Sequence, residues 1–201
     1  MPIAAAEWTP DELPPHEGLT MPAQVNYVVK GANLFAEGYA PTGSALVAMR
    51  LLRINYLHER IRVQGGAYGS GCSLDRQSGV FGYSSYRDPN LQATLDTYDG
   101  ASQYLRGIEL EDDELTRAII GTISEVDGYQ LPDAKGFTSM SRYLLGIGDA
   151  ERQQMRDEIL RATQKDVRAF GEVIASVRER GNVVVLGSPQ AIAESNEARG
   201  G

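Results

Sequence analysis

The chain has 201 residues and carries 19 Lys and Arg against 27 Asp and Glu, a formal net charge of −8. That length serves one domain with a core of its own, and the acidic balance excludes a general nucleic-acid binder, whose phosphate affinity needs clustered cations. No apolar run approaches the roughly 20 residues that span a bilayer, one cysteine excludes an internal disulfide framework and favours a reducing compartment, and two histidines, His16 and His58, leave little for metal or acid–base chemistry.

Residues 1–22 read as an extended, linker-like arm. Pro2, Pro10, Pro14 and Pro15 sit among acidic residues, and proline at that density opposes helix and packing. The stretch to Leu19 has neither Lys nor Arg and no long apolar run, so it resembles neither a transit peptide nor a secretory signal. The remainder, 23–201, reads as a single domain. Val25, Tyr27 and Val29 alternate with Gln24, Asn26 and Lys30, the period-two pattern of a strand, which Gly31 ends. After a loop with Gly38, Pro41 and Gly43, Ser44 is placed to cap a helix whose apolar face is Val47, Leu51, Ile54 and Leu57–His58, running to about Ile61. Glycines at 65, 66, 69, 71, 79 and 82 then exclude a helix. Alternating apolar residues on either side of Arg76-Gln77-Ser78-Gly79 predict a two-stranded hairpin.

Asp88-Pro89-Asn90 predicts a helix start, with Asp88 as cap and Pro89 at the first helical position. The acidic run Glu111-Asp112-Asp113-Glu114 suits the positive end of the next helix, whose stripe is Leu115, Ile119, Ile123 and Val126. A short helix follows Lys135-Gly136, carrying Phe137, Met140, Tyr143 and Leu144. Asp149 is expected to cap a longer helix, and Thr163-Gln164-Lys165-Asp166 has the form of a capping box that divides it in two. Val183-Val184-Val185-Leu186 reads as a last strand before a short polar helix. Strands joined by a hairpin, amid several helices, define an α+β domain with an antiparallel or mixed sheet and helices packed on one face.

The motifs of self-sufficient catalysis are missing. A zinc site needs three protein ligands, and the positions one helical turn from His58 hold no second histidine. No G-x-S-x-G nucleophile elbow occurs, and Gly69-Ser70-Gly71-Cys72 lacks the spacing of a phosphate loop. Cys72, inside an expected strand, reads as a small buried hydrophobe. The informative segment is Arg62-Val63-Gln64-Gly65-Gly66-Ala67-Tyr68. There a helix end passes through a Gly-Gly turn into a strand. On the residues alone, Arg62 caps the helix and Tyr68 packs in the core, or the two present a cation and a hydroxyl to a peptide carbonyl or an oxyanion. Gly65 and Gly66 would let a peptide backbone come close.

Several segments resemble the presequence proteases, the organellar branch of the pitrilysin and insulinase zinc metallopeptidases. They are Gln24-Val25-Asn26-Tyr27-Val28, Arg62-Val63-Gln64-Gly65-Gly66-Ala67-Tyr68-Gly69, Ser85-Tyr86-Arg87-Asp88-Pro89-Asn90, Ala118-Ile119-Ile120-Gly121-Thr122-Ile123 and Tyr129-Gln130-Leu131-Pro132-Asp133-Ala134-Lys135-Gly136. The matches keep their order from about residue 17 to 196. The resemblance implies one of four homologous α+β domains of the LuxS/MPP-like kind, specifically the fourth, in an enzyme whose halves close around a peptide-degrading chamber. It implies that the inverted HxxEH zinc site and its Glu base lie in the first domain, so that this chain alone binds no metal and is inactive. By position, Arg62 and Tyr68 would be the pair that reaches the scissile peptide, at a spacing one residue shorter than in insulinase-type relatives. The implied substrates are targeting peptides and other short unstructured peptides, the implied partner is the N-terminal catalytic half, and the implied compartments are mitochondria and plastids. The other reading is a non-catalytic peptide-binding or assembly subunit that docks onto a separate catalytic half. Either reading predicts an apolar patch left for a partner, around the first helix or residues 137–145.

Overall fold

The computed structural model describes residues 14–199. Five strands, β1 (His16–Thr20), β2 (Asn26–Asn33), β3 (Gly69–Leu74), β4 (Val80–Asp88) and β5 (Asn182–Gly187), form a mixed sheet in the order β1-β5-β2-β4-β3. Pairing is antiparallel throughout except between β1 and β5. The helices are α1 (Gly43–Leu51), with a π-helical continuation over Leu52–Gln64, α2 (Leu91–Arg106), α3 (Asp112–Val126), α4 (Pro132–Leu145), α5 (Asp149–Leu160), α6 (Gln164–Val173), α7 (Ala175–Arg180) and α8 (Pro189–Arg199). Strand alternation separates two faces: Val28, Phe81, Tyr83 and Val185 are buried beneath the helices, whereas Val29 and Val184 stay exposed on the other side. This is the α+β architecture expected, with one open sheet face.

The core brings Phe81 and Tyr83 of β4 against α2 and α6. Tyr83 stacks on Tyr98 with centroids 5.0 Å apart, and Phe81 meets Phe170 edge-on at 6.0 Å. Burial pushes the pKa values of Tyr83 and Tyr98 above the usual 10 and pushes the Cys72 thiol up to about 12. Cys72 is the buried small residue expected. In unfolded chains these groups lose their protons near their ordinary values, while the folded chain retains them. The stabilisation is therefore complete below pH 9 and is lost as pH rises past about 10, because the folded state then binds more protons. Urea unfolding between pH 7 and 11 is expected to show the midpoint falling at the alkaline end, with Tyr83→Phe flattening the slope. A midpoint independent of pH would contradict this.

Several local expectations are corrected. The final part of the supposed arm, His16–Thr20, is a parallel strand on β5, exposed along its whole length; residues 1–13 lie outside the described region. Thr42, not Ser44, is the N-cap of α1, and the Gly43 N–H is met by the Glu158 carboxylate of α5 at 2.6 Å. Beyond Leu51 the buried positions are Leu52, Tyr56, Leu57 and Ile61, spaced by four and five as a π-helix requires, so Ile54 and His58 turn out to solvent. Asp88 does not cap α2, which starts at Leu91. Its buried carboxylate instead accepts from the Asn90 N–H at 2.8 Å and the Thr94 hydroxyl at 2.6 Å. Gly148 rather than Asp149 caps α5, and α4 starts at Pro132, five residues before Phe137. The capping box at Thr163 and Asp166 forms as expected, and a further break at Ile174 separates α7.

Candidate functional site

Arg62, at the end of the π-helical stretch, and Tyr68, just before β3, are joined by the Gly65–Gly66 turn. Both glycines are dictated by the backbone. A Cβ on Gly65 would stand 2.6 Å from the Ile61 carbonyl oxygen, and Gly66 has φ +77. The Gly65 and Gly66 N–H groups donate to the Arg62 carbonyl, and the Asn90 side-chain amide donates to the Gly65 carbonyl. Those groups are committed inside the chain. The pair therefore shapes the turn, with the Gly65 carbonyl already bonded within the chain.

The turn places both candidate side chains at the surface. Tyr68 is 68% exposed, which removes the reading of it as a core residue. Its own N–H donates to the Tyr86 carbonyl at 3.1 Å, which fixes its backbone to β4. The Arg62 guanidinium is exposed beside the His58 ring, with Nη1 to Nε2 at 3.5 Å.

Three residues that sequence reasoning did not assign to the site complete it. Tyr86 meets Tyr68 edge-on at 5.8 Å, and Tyr27 meets Tyr86 at 5.2 Å, so three tyrosines from adjacent strands form a row on the open face. The register between β2 and β4 slips there: Asn26 pairs with Asp88 and Val28 with Ser85, leaving Tyr86 and Arg87 opposite Tyr27 alone. This is a β-bulge. It turns Asp88 inward in place of Arg87 and keeps Arg87 on the tyrosine side. Arg87 has φ 49 and is the one non-glycine residue with positive φ among those described. That backbone costs roughly 1–2 kcal/mol for an L-residue. Its guanidinium lies over the Tyr86 ring at 5.7 Å, and a hydrogen bond to the Tyr27 hydroxyl, helped by Tyr86, raises its pKa. The surface offers the Tyr68 phenol hydroxyl, the Arg62 guanidinium beside His58 and the Arg87 guanidinium over Tyr86. It can donate hydrogen bonds to a carbonyl or an anion.

Metal chemistry does not fit the side chains present. Among the described residues no group of three or more His, Cys, Asp or Glu side chains is placed to hold an ion. Cys72, the buried thiol, retains its proton. A cavity of about 470 Å³ lies elsewhere, between β1, β5, α2 and α8, around Lys30, Asp99 and Arg199. Lys30 and Arg199 there both pair with Asp99. No helix among the described residues is long and apolar enough to cross a membrane.

Comparison with known proteins follows the same lines. The model of the PreP C-terminal domain family matches residues 16–189. Presequence protease 1, chloroplastic/mitochondrial, of Arabidopsis thaliana is 49% identical over 184 residues, which is 92% of this chain and 17% of that protein. Protein HypA of Clostridium perfringens is 34% identical, over 90% of this chain and 19% of its own length. The chain thus spans about a sixth to a fifth of these relatives. Among solved structures, a putative zinc protease of Bordetella pertussis superimposes with a TM-score of 0.63 at 18% identity, covering 83% of this chain and 96% of that one. A peptidase M16 inactive domain from Pseudomonas fluorescens gives 0.64 at 13% identity, over 86% of this chain and 43% of that one. These two establish the fold, while the family match and the plant relative establish descent: the chain belongs to the PreP C-terminal domain family, the C-terminal domain of the presequence proteases.

Proposed function

We propose that this chain is the substrate-contacting domain of a presequence-type zinc metalloendopeptidase. In the intact enzyme, Arg62 and Tyr68 hold the peptide carbonyl at the scissile bond and meet the negative charge that develops on its oxygen. The observation that carries this is the exposed hydroxyl of Tyr68, fixed by the Tyr86 contact instead of being buried. A rigid donor aimed from outside contributes to catalysis because it needs no reorganisation as charge appears. Arg87 and the tyrosine row add a surface on which an extended, unstructured peptide can lie, through stacking and cation contacts.

The zinc of the intact enzyme then belongs to polypeptide outside this chain, as do the residues that activate water. The substrates are targeting peptides and other short unstructured peptides, and the compartment is mitochondrial or plastid, as in the names of the relatives.

The test has two parts. Elemental analysis of the purified 201-residue chain is expected to find no stoichiometric zinc, and the chain alone is expected to leave a synthetic presequence peptide intact. Addition of the zinc-bearing catalytic half, joined or separate, should restore cleavage. One tightly held zinc per chain, or chelator-sensitive cleavage by the chain alone, would overturn the assignment. Peptide binding without cleavage in the presence of that half would assign the chain to a non-catalytic docking subunit.

A further inference from the structure

The helix-covered face of the sheet is not filled everywhere. Between β1 and β5 on one side and α2 and α8 on the other lies the cavity of about 470 Å³, a volume within the range of small-molecule sites. Its walls divide by chemistry. Leu91 and Leu95 of α2, Val185 of β5 and Ile192 of α8 supply an apolar side, and Lys30, Asp99 and Arg199 a charged one. The Lys30 side chain is 5% exposed, so its ammonium depends on partners other than bulk water. Two are present, the Asp99 carboxylate and the Arg178 carbonyl. An ammonium carries three donors, and the third has no acceptor among the described residues.

The charges around the cavity point the same way. Lys30 and Arg199 share the one carboxylate of Asp99. Arg199 also reaches Asp96, but that side chain is 63% exposed and outside the lining, where solvent weakens the pairing. Arg178 and Glu179, both exposed at the rim, offset each other. Glu17 turns its carboxylate to the opposite face of the sheet, since a Cβ on the adjacent Gly18 would meet Ile192 at 2.9 Å. A buried cation with an unused donor, beside an apolar wall, selects an anion with a hydrocarbon body.

We propose that this cavity binds an aliphatic carboxylate, with its head group on the third Lys30 N–H and its chain along Leu91, Leu95 and Ile192. Two sources carry that chemistry, a short fatty acid and the C-terminus of a short apolar peptide. The tyrosine row lies on the open face of the sheet and this cavity on the covered one, so the inference stands apart from the reading of Arg62 and Tyr68.

Isothermal titration of the 201-residue chain with octanoate, and separately with acetyl-Leu-Leu, tests it. At least one is expected to bind one to one with a Kd below about 1 mM, and the tighter of the two identifies the source. The neutral counterparts, octanamide and the amidated dipeptide, should bind at least about tenfold more weakly, because they bring no charge to the ammonium. Lys30→Met, which leaves Asp99 paired with Arg199, should weaken the carboxylate by about tenfold. Ile192→Trp fills the apolar side with every charge left in place and should abolish binding. Equal affinity for acid and amide would overturn the proposal. So would equal affinity of the parent and Ile192→Trp, or no saturable binding of either carboxylate.

Discussion

Tyr68→Phe in the assembled protease is expected to lower kcat/KM for a presequence peptide by about a hundredfold, most of it in kcat. Losing a single preorganised donor to a developing oxyanion costs on the order of 10² to 10³ in rate. The substitution removes one oxygen and keeps the ring whose edge-on contact with Tyr86 spans 5.8 Å. Because Tyr68 is so exposed, the thermal midpoint should not move, and the loss can be assigned to the hydroxyl. Arg62→Ala should fall by a comparable factor, divided between KM and kcat, since a guanidinium attracts the carbonyl before and during reaction. If both variants remain within about twofold of the parent, less than ~0.5 kcal/mol, the assigned role is wrong.

The largest effect on stability is expected at Asp99. The Lys30 side chain on β2 is 5% exposed, paired with the Asp99 carboxylate and donating to the Arg178 carbonyl at 3.1 Å. Asp99→Ala leaves a buried ammonium with one carbonyl. Breaking one side of such a pair costs about 3–5 kcal/mol, against a total stability on the order of 5–15 kcal/mol. For a chain of this size, that corresponds to a fall of roughly 10 °C in the thermal midpoint. Arg199, also on Asp99 at 3.3 Å, still has Asp96 at 2.8 Å and is not stranded. Lys30→Met together with Asp99→Leu should recover most of the loss, because it removes both charges and fills the space. A cost below ~1 kcal/mol for Asp99→Ala, measured by urea unfolding, would show that solvent reaches Lys30 after all.

Local chemistry was readable where it is local. The Thr163–Asp166 capping box and the acidic start of α3 each depend on residues within one turn, and each forms where the pattern places it. The strand β2 forms too, but it runs past Gly31 to Asn33 and buries Asn26, Val28 and Lys30 while Val29 stays exposed, so its apolar alternation marks the open face. Features set by distant partners were not readable. His16–Thr20 has no strand signal of its own and becomes a strand because β5, more than 160 positions later, offers a free edge. The Ile54 and His58 positions fit a 3.6-residue period, and only a π-helical backbone turns them outward. Arg62 and Tyr68 are singled out by the Gly-Gly turn between them, and the family resemblance adds the role proposed for them. Tyr27, Tyr86 and Arg87 escaped because their convergence depends on a one-residue slip between two strands. A non-glycine residue before Asp-Pro carries no mark of positive φ in the sequence.

One consequence of β1 concerns the chain outside the folded state. Its five residues bury nothing, so their loss would cost the core little. They nevertheless cover the outer edge of β5, whose Val183, Val184, Val185 and Leu186 form an uncharged apolar run with three β-branched residues. Six-residue segments of that composition, left as an open edge, are templates for cross-β stacking. A fragment beginning at residue 23 would keep the domain's packing and lose its protection against aggregation. The strand that buries nothing is thus the one that closes the apolar edge of the sheet.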